Sequence, residues 1–187
     1  MQGTADRIRA AALAVFVTNG YAATSMTQIR QHAAVSNGSL FHFFPRKADL
    51  AAGVLTEGMR HCQEAVLTAL DATTGADGVR AAVRALLGWV SGDAEMARFV
   101  FADAPDEVLL AAEPAFGAHN RRYVQDITAW LAGQDLLRGR PFEVVHALWF
   151  GPSMELGRHW LRGRSRITPT AAAAELSAAA WRAVDGQ

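Results

Sequence analysis

The sequence predicts an all-α chain in which a small N-terminal head of three helices joins a larger helical body, about nine helices in all. Three observations predict it. Ala, Leu, Arg and Glu are frequent, and alternating β-branched runs are nearly absent. Gly and Pro punctuate the chain at intervals suited to helix ends. Residues that cap helices stand before several of the apolar-periodic segments.

The elements follow in order. Thr4 is placed to cap a first helix in which Ile8, Ala12, Val15 and Phe16 share a face, and Gly20 ends it. Ser25-Met-Thr-Gln28 is a capping box opening a short helix with Ile29 and Ala33 inward. Ala34-Val35 makes a turn, and Ser36 caps a third short helix that must end near Pro45. A long helix over 46–72 closes at Thr73-Thr-Gly75, and Asp77 caps a fifth running to Gly88–Gly92. Asp93 caps a sixth, halted by Pro105, and a short piece follows at 106–112. Pro114, Pro141 and Pro169 each stand where a first helical residue would stand. Three helices run from them to about Gly133, Gly163 and Asp185, the second kinked at Pro152. The expected domains are 1–47 and 48–187, joined by helix rather than by a linker.

Charge divides the chain the same way. Residues 1–50 carry five cations against two anions, and residues 51–187 carry 13 against 16. A basic head on an acidic body directs only the head toward an anionic partner. One cysteine, Cys62, permits no internal disulfide and fits a reducing compartment. No secretory leader opens the chain and no run approaches a bilayer span, so a soluble cytoplasmic protein is expected, with no membrane partner.

The stretch Val35-Ser-Asn-Gly-Ser-Leu-Phe-His-Phe-Phe-Pro-Arg-Lys47 mixes aromatic, polar and basic residues. A helical wheel sorts them. At roughly 100° per residue, Leu40, Phe43 and Phe44 fall on one apolar face, with Val35 as a staple. Gly38 and His42 lie opposite, flanked by Asn37, Ser39 and Phe41. A glycine in a first helical turn costs about 1 kcal/mol in propensity and makes sense where another body approaches the backbone. Two short capped helices joined by a tight turn, the second showing such a face, form a helix-turn-helix. Its second helix enters a DNA major groove, with Arg46 and Lys47 toward phosphate.

The segment AALAVFVTNGYAATSMTQIRQHAAVSNGSLFHFFPRKADL resembles the DNA-binding head of the TetR family of transcriptional regulators. The resemblance rests on Gly20-Tyr21, Thr24-Ser25, Ile29, Val35-Ser36, Gly38, Leu40-Phe41, the aromatic pair, Pro45, Lys47 and Leu50. It implies that Thr27, Asn37, Gly38, Ser39 and His42 face base edges or the groove floor. It implies that Ser25, Ser36, Phe41 and Lys47 meet phosphate and sugar, with Arg46 a further phosphate contact in place of a frequent serine. The chain departs from the family at Phe41, where tyrosine is common, at Phe43, where histidine is frequent, and at Ala34, where glycine is usual. The last departure implies strain in the turn.

The resemblance further implies a homodimer on double-stranded operator DNA with an inverted repeat, most often a repressor, released when a small lipophilic effector binds the body. Candidate effector residues are Met59, Trp89, Met96, Phe99, Phe116, Tyr123, His146, Trp149 and Phe150, with His119, Asn120, Tyr123 or His146 as polar anchors. The small residues Gly151, Ser153 and Gly157, with Ala172, Leu176, Ala179 and Ala180, form the candidate dimer interface. Each of these residues taken singly also suits core packing.

Catalysis finds no constellation. There is no nucleophile elbow and no phosphate-cradling glycine loop. His61 with Glu64 and Glu155 with His159 stand at helical spacings that suit ion pairs better than a metal. No cofactor, metal or enzyme activity is expected. The alternative is an all-helical small-molecule-binding protein or enzyme with a vestigial head.

Overall fold

The computed structural model describes residues 3–185, so the outermost two residues of each expected domain lie outside the described residues. The described residues are helical, with no strand among them. The helices are α1 (Thr4–Asn19), α2 (Met26–Ala33), α3 (Asn37–Phe43), α4 (Lys47–Asp71), α5 (Gly75–Gly92), α6 (Ala94–Arg98), α7 (Asp106–Gly133), α8 (Phe142–Leu161) and α9 (Pro169–Asp185). One turn of π-helix, Phe99–Asp103, follows α6.

The residues group into two compact units. The first holds residues up to Met59 together with Glu95–Ala118. Its core is built from Ile8, Ala12, Val15 and Phe16 of α1, Ile29 of α2, Leu40 of α3, and Leu50 and Val54 of α4. Phe16 stacks on Phe99 of the π turn, centroids 5.4 Å apart. Gly58 on α4 is a close approach: a Cβ there would lie 2.6 Å from Val100 and 2.7 Å from the Met96 sulfur.

The second unit holds Arg60–Ala94 and the residues from His119 onward. α5 buries Val79, Ala82, Val83, Leu86, Leu87 and Val90, an i, i+3, i+4 stripe, and packs on α8 and α9. Trp149 of α8 is fully buried and donates its indole N–H to the Val79 carbonyl at 2.9 Å. It stacks on Trp130 and Phe150. At the end of α9, the Arg140 guanidinium donates to the carbonyls of Ala183 and Val184 as well as those of Leu136 and Leu137. A cation there satisfies carbonyls that the helix end leaves open.

Several expectations are corrected. α1 is capped one residue earlier than Thr4, at Gly3, whose amide donates to the Asp6 carboxylate at 3.1 Å. α5 begins at Gly75 after Thr74, which leaves Asp77 inside the first turn rather than at the cap. The two pieces expected at 106–112 and from Pro114 are one helix, α7, with Pro114 inside it. Proline removes one hydrogen bond to the carbonyl four residues back. That residue, Leu110, is 70 % exposed, so water can reach the carbonyl. Pro141 stands at the cap of α8 rather than at its first position, whereas Pro169 does open α9.

The turn strain is where the sequence places it. Ala34 has φ 52° and ψ 48°, in the left-handed region. That conformation costs a non-glycine residue about 1–2 kcal/mol. Ala34→Gly is therefore expected to raise stability by about 1 kcal/mol, read as the midpoint of urea unfolding at unchanged slope.

Candidate DNA interface and effector-site residues

The head is organised by its caps. Ser25 Oγ accepts from the Gln28 amide at 3.3 Å, while the Gln28 side chain accepts from the Ser25 amide at 2.7 Å. Ser36 Oγ accepts from the Ser39 amide at 3.1 Å and donates to the Ser39 hydroxyl at 3.0 Å. Both reciprocal arrangements fix helix starts. Leu40 is fully buried and Phe44 nearly so, and these anchor α3 to the unit. Phe43 does not join them. It is 44 % exposed and meets His42 edge-on at 5.2 Å. A seven-residue helix buries only a narrow stripe, and Phe43 lies at its edge.

Ser25, Thr27, Ser36, Asn37, Gly38, Phe41 and His42 are all exposed, and Ser39 partly so. Gly38 has open space before it. A Cβ added there would meet only Ser36 Oγ, at 3.9 Å. Nothing inside the protein therefore requires a glycine at this position.

The two cations differ. Arg46 is exposed and lies against Asp49 through two hydrogen bonds, at 3.0 and 2.6 Å, which hold the Asp49 carboxyl below its usual range. Lys47 is engaged internally. Its Nζ donates to the carbonyls of Tyr21 and Thr24, each at 2.9 Å, and of Ala22 at 3.4 Å. It also lies 4.3 Å from the centre of the Tyr21 ring. Burial, followed by the Glu107 carboxylate, pushes the Tyr21 hydroxyl up to about 12. Lys47 thus laces the connection between α1 and α2, a role its sequence position does not disclose.

The effector candidates divide between the units. Met59, Met96, Phe99 and Phe116 belong to the first, and Met96 and Phe99 are buried core. Trp89, His119, Asn120, Tyr123, His146, Trp149 and Phe150 belong to the second. Within it, His146 packs against the Phe142 and Phe150 rings, at 5.4 and 5.1 Å. Burial lowers the His146 pKa from its ordinary 6.5. The unfolded chain then binds a proton that the folded chain resists, so stability is present above that value and falls as pH drops below it. His146→Phe is expected to flatten the loss of melting temperature between pH 7 and 5.

Tyr123 is buried, and burial with the neighbouring Cys62 raises its hydroxyl pKa. Gln63, absent from the sequence-derived candidates, is buried beside Cys62, and its Nε2 donates to Asn120 Oδ1 at 2.9 Å. A glutamine within a helical pattern gives no signal of burial. Burial pushes the Cys62 thiol up to about 12, which makes it a poor nucleophile.

The interface candidates divide by burial. Ser153, Gly157 and Ala180 are buried within the unit, and a Cβ on Gly157 would touch Val90 of α5 at 3.7 Å. The small residues there admit α5, a helix of the same chain. Gly151, Ala172, Leu176 and Ala179 are partly exposed. Glu155 pairs with His159 at 3.0 Å and Arg158 at 2.6 Å, while Glu64 pairs with Arg60 rather than His61. Among the described residues no three His, Cys, Asp or Glu side chains gather to hold a metal ion, and no helix is long and apolar enough to cross a membrane.

Residues 8–54, the helices that carry this surface, match the sequence profile of bacterial regulatory proteins of the tetR family. The head of the chain is a TetR-family head. That head has the helix-turn-helix of DNA-binding regulatory proteins. Solved structures share the fold of the chain over nearly the whole length. A tetR-family regulatory protein from Rhodococcus RHA1 is 23 % identical, with TM-score 0.72 and 98 % of each chain covered. The fatty acid degradation regulator FadR of Bacillus halodurans is 16 % identical, with TM-score 0.78, covering 97 % of this chain and 98 % of its own. FadR of Bacillus subtilis, solved in complex with stearoyl-CoA, is 17 % identical, with TM-score 0.77 and the same coverage. No curated protein sequence matches this chain.

Proposed function

We propose that this TetR-family protein is a homodimeric cytoplasmic repressor that holds an inverted-repeat operator and leaves it when a lipophilic small molecule binds the body. The observation that carries the DNA-reading part is Gly38. It stands in open space on an exposed helix face, at a cost in helix propensity that no internal contact explains. Close approach of a groove to the backbone explains it. His42, Asn37 and Ser39 are the side chains proposed to reach base edges, with Thr27 of α2 beside them. Ser25, Ser36 and Arg46 are proposed to meet phosphate. Lys47 is proposed to position this surface through the α1–α2 connection.

One head makes few base contacts, and two-fold dimers read two half-sites. With Ser153, Gly157 and Ala180 interior, the proposed dimer face shifts to the outer side of α8, where Val144 and Leu148 are 47 % and 39 % exposed. Gly151 continues that side, and Ala172, Leu176 and Ala179 of α9 remain available to it. An effector releases DNA only if it binds the non-DNA-binding form more tightly. The stearoyl-CoA held by Bacillus subtilis FadR is an example of a lipophilic ligand on this fold. A binding protein or enzyme with a vestigial head is less well supported, because both caps and the exposed face of the head are in place.

The test is a titration of the purified protein against its own upstream promoter DNA over a range of salt. Binding is expected to prefer that sequence, to weaken linearly on logarithmic axes with salt, and to fall at least tenfold in His42→Ala. Equal binding to unrelated DNA, untouched by His42→Ala, would sink the reading.

A further inference from the structure

Among the described residues of the second unit four buried side-chain atoms lack a partner, Gln63 Oε1, Ser91 Oγ, His119 Nε2 and Ser153 Oγ, and two of them stand on α4 and α7 at or next in sequence to the Gln63–Asn120 hydrogen bond. Gln63 is 4 % exposed; its Nε2 is committed to Asn120, but its Oε1 accepts nothing. His119 precedes Asn120 in the chain, and its Nε2 is buried and unpaired. Tyr123, one turn further along α7, is buried near Cys62.

A buried acceptor left unpaired destabilises the fold, and an apolar side chain of similar shape would remove that cost. Unpaired buried groups therefore call for an explanation, and a bound partner supplies one. The chemistry of the cluster restricts the partner. It comprises two carboxamides, an imidazole, a phenol and a thiol, without Lys or Arg. Arg121 and Arg122, which stand between Asn120 and Tyr123, are exposed, and Arg60 is committed to Glu64 at 2.6 Å. A carboxylate or phosphate buried here would have no cation to offset its lost hydration. The free atom on Gln63 is an acceptor, so the incoming group must donate.

We propose that Gln63 and His119 form the polar end of the effector site, and that the effector is a neutral, hydroxyl-bearing lipophilic molecule whose hydroxyl donates to Gln63 Oε1. This rests on the effector reading above and deepens it. His119 Nε2 offers a second hydrogen bond to the same ligand. The inference separates this chain from an acyl-CoA sensor at this site: the group recognised is an alcohol or phenol, not an anion.

The experiment uses the full chain and four matched probes in a series of chain lengths from six to fourteen carbons: the primary alcohol, its methyl ether, the fatty carboxylate and the acyl-CoA. Melting temperature and release of labelled promoter DNA are both read. The alcohols are expected to raise the melting temperature and release DNA. The ethers, which accept but cannot donate, and the carboxylates are expected to do neither. Gln63→Leu is expected to weaken the alcohol response at least tenfold, with Gln63→Met and His119→Phe as milder variants.

A stronger response to carboxylate, acyl-CoA or ether than to alcohol overturns the proposal. So does a wild-type alcohol response in both Gln63 variants, or no response to any probe, which would leave the two atoms to bound water. If the protein binds no promoter DNA, the regulator reading fails, yet the melting measurement still reads this site.

Discussion

Gly38→Ala is expected to make the protein more stable and a poorer DNA binder. Position 38 lies within α3, and an added methyl group meets only Ser36 Oγ at van der Waals distance. Replacing glycine by alanine in a helix then contributes about 0.5–1 kcal/mol of stability. The same methyl group projects from the face proposed to lie against the groove. Affinity for the promoter sequence is expected to fall at least tenfold, about 1.4 kcal/mol. Chemical denaturation and fluorescence anisotropy on one preparation measure both quantities. A purely structural glycine would show them moving together. Unchanged DNA affinity in the stabilised variant would mean that α3 reads DNA by another face.

Gly78→Ala is expected to have the largest effect on stability, in the opposite direction. Gly78 is buried in α5, where an added Cβ would collide with the Trp130 ring, 2.7 Å from its Cη2. Trp130 stacks on the fully buried Trp149, so the ring has little freedom to retreat. Overpacking of this kind costs about 1–3 kcal/mol and occasionally more, which exceeds the propensity gain of about 1 kcal/mol. A net loss of about 1–2 kcal/mol is expected. Gly88, ten residues along the same helix, faces open space. Gly88→Ala is expected to stabilise by about 0.5–1 kcal/mol. Thermal or urea unfolding of the pair tests the contrast. Equal effects from the two substitutions would show that helix propensity, not contact with Trp130, governs α5.

The head was legible in the sequence because its rules are local. Ser25 with Gln28, and Ser36 with Ser39, are caps whose partners lie three residues away, and the structure pairs them as their spacing requires. The strain at Ala34 was legible because an alanine stands where the family it resembles usually has a glycine. What escaped depended on surroundings. Pro114 lies inside α7, and the carbonyl it leaves without a donor belongs to Leu110, which is open to solvent. Phe43 fell on the apolar side of the wheel, but α3 is too short to cover that side fully. Small residues on α8 signalled close helix approach correctly; the sequence could not say that the approaching helix is α5. Gln63 became visible only when burial showed one of its atoms without a partner.

Lys47 is the only lysine in the chain, against 17 arginines. Its ammonium reaches three main-chain carbonyls and the Tyr21 ring, so it behaves as a latch rather than as a surface amine. Acylation of this side chain would therefore do more than cancel a charge. It would unfasten the segment that joins α1 to α2, while the guanidinium groups of the head kept their charge. Amine-directed coupling, for a fluorophore or a solid support, meets no other lysine in the chain and attacks the reading head when it succeeds there.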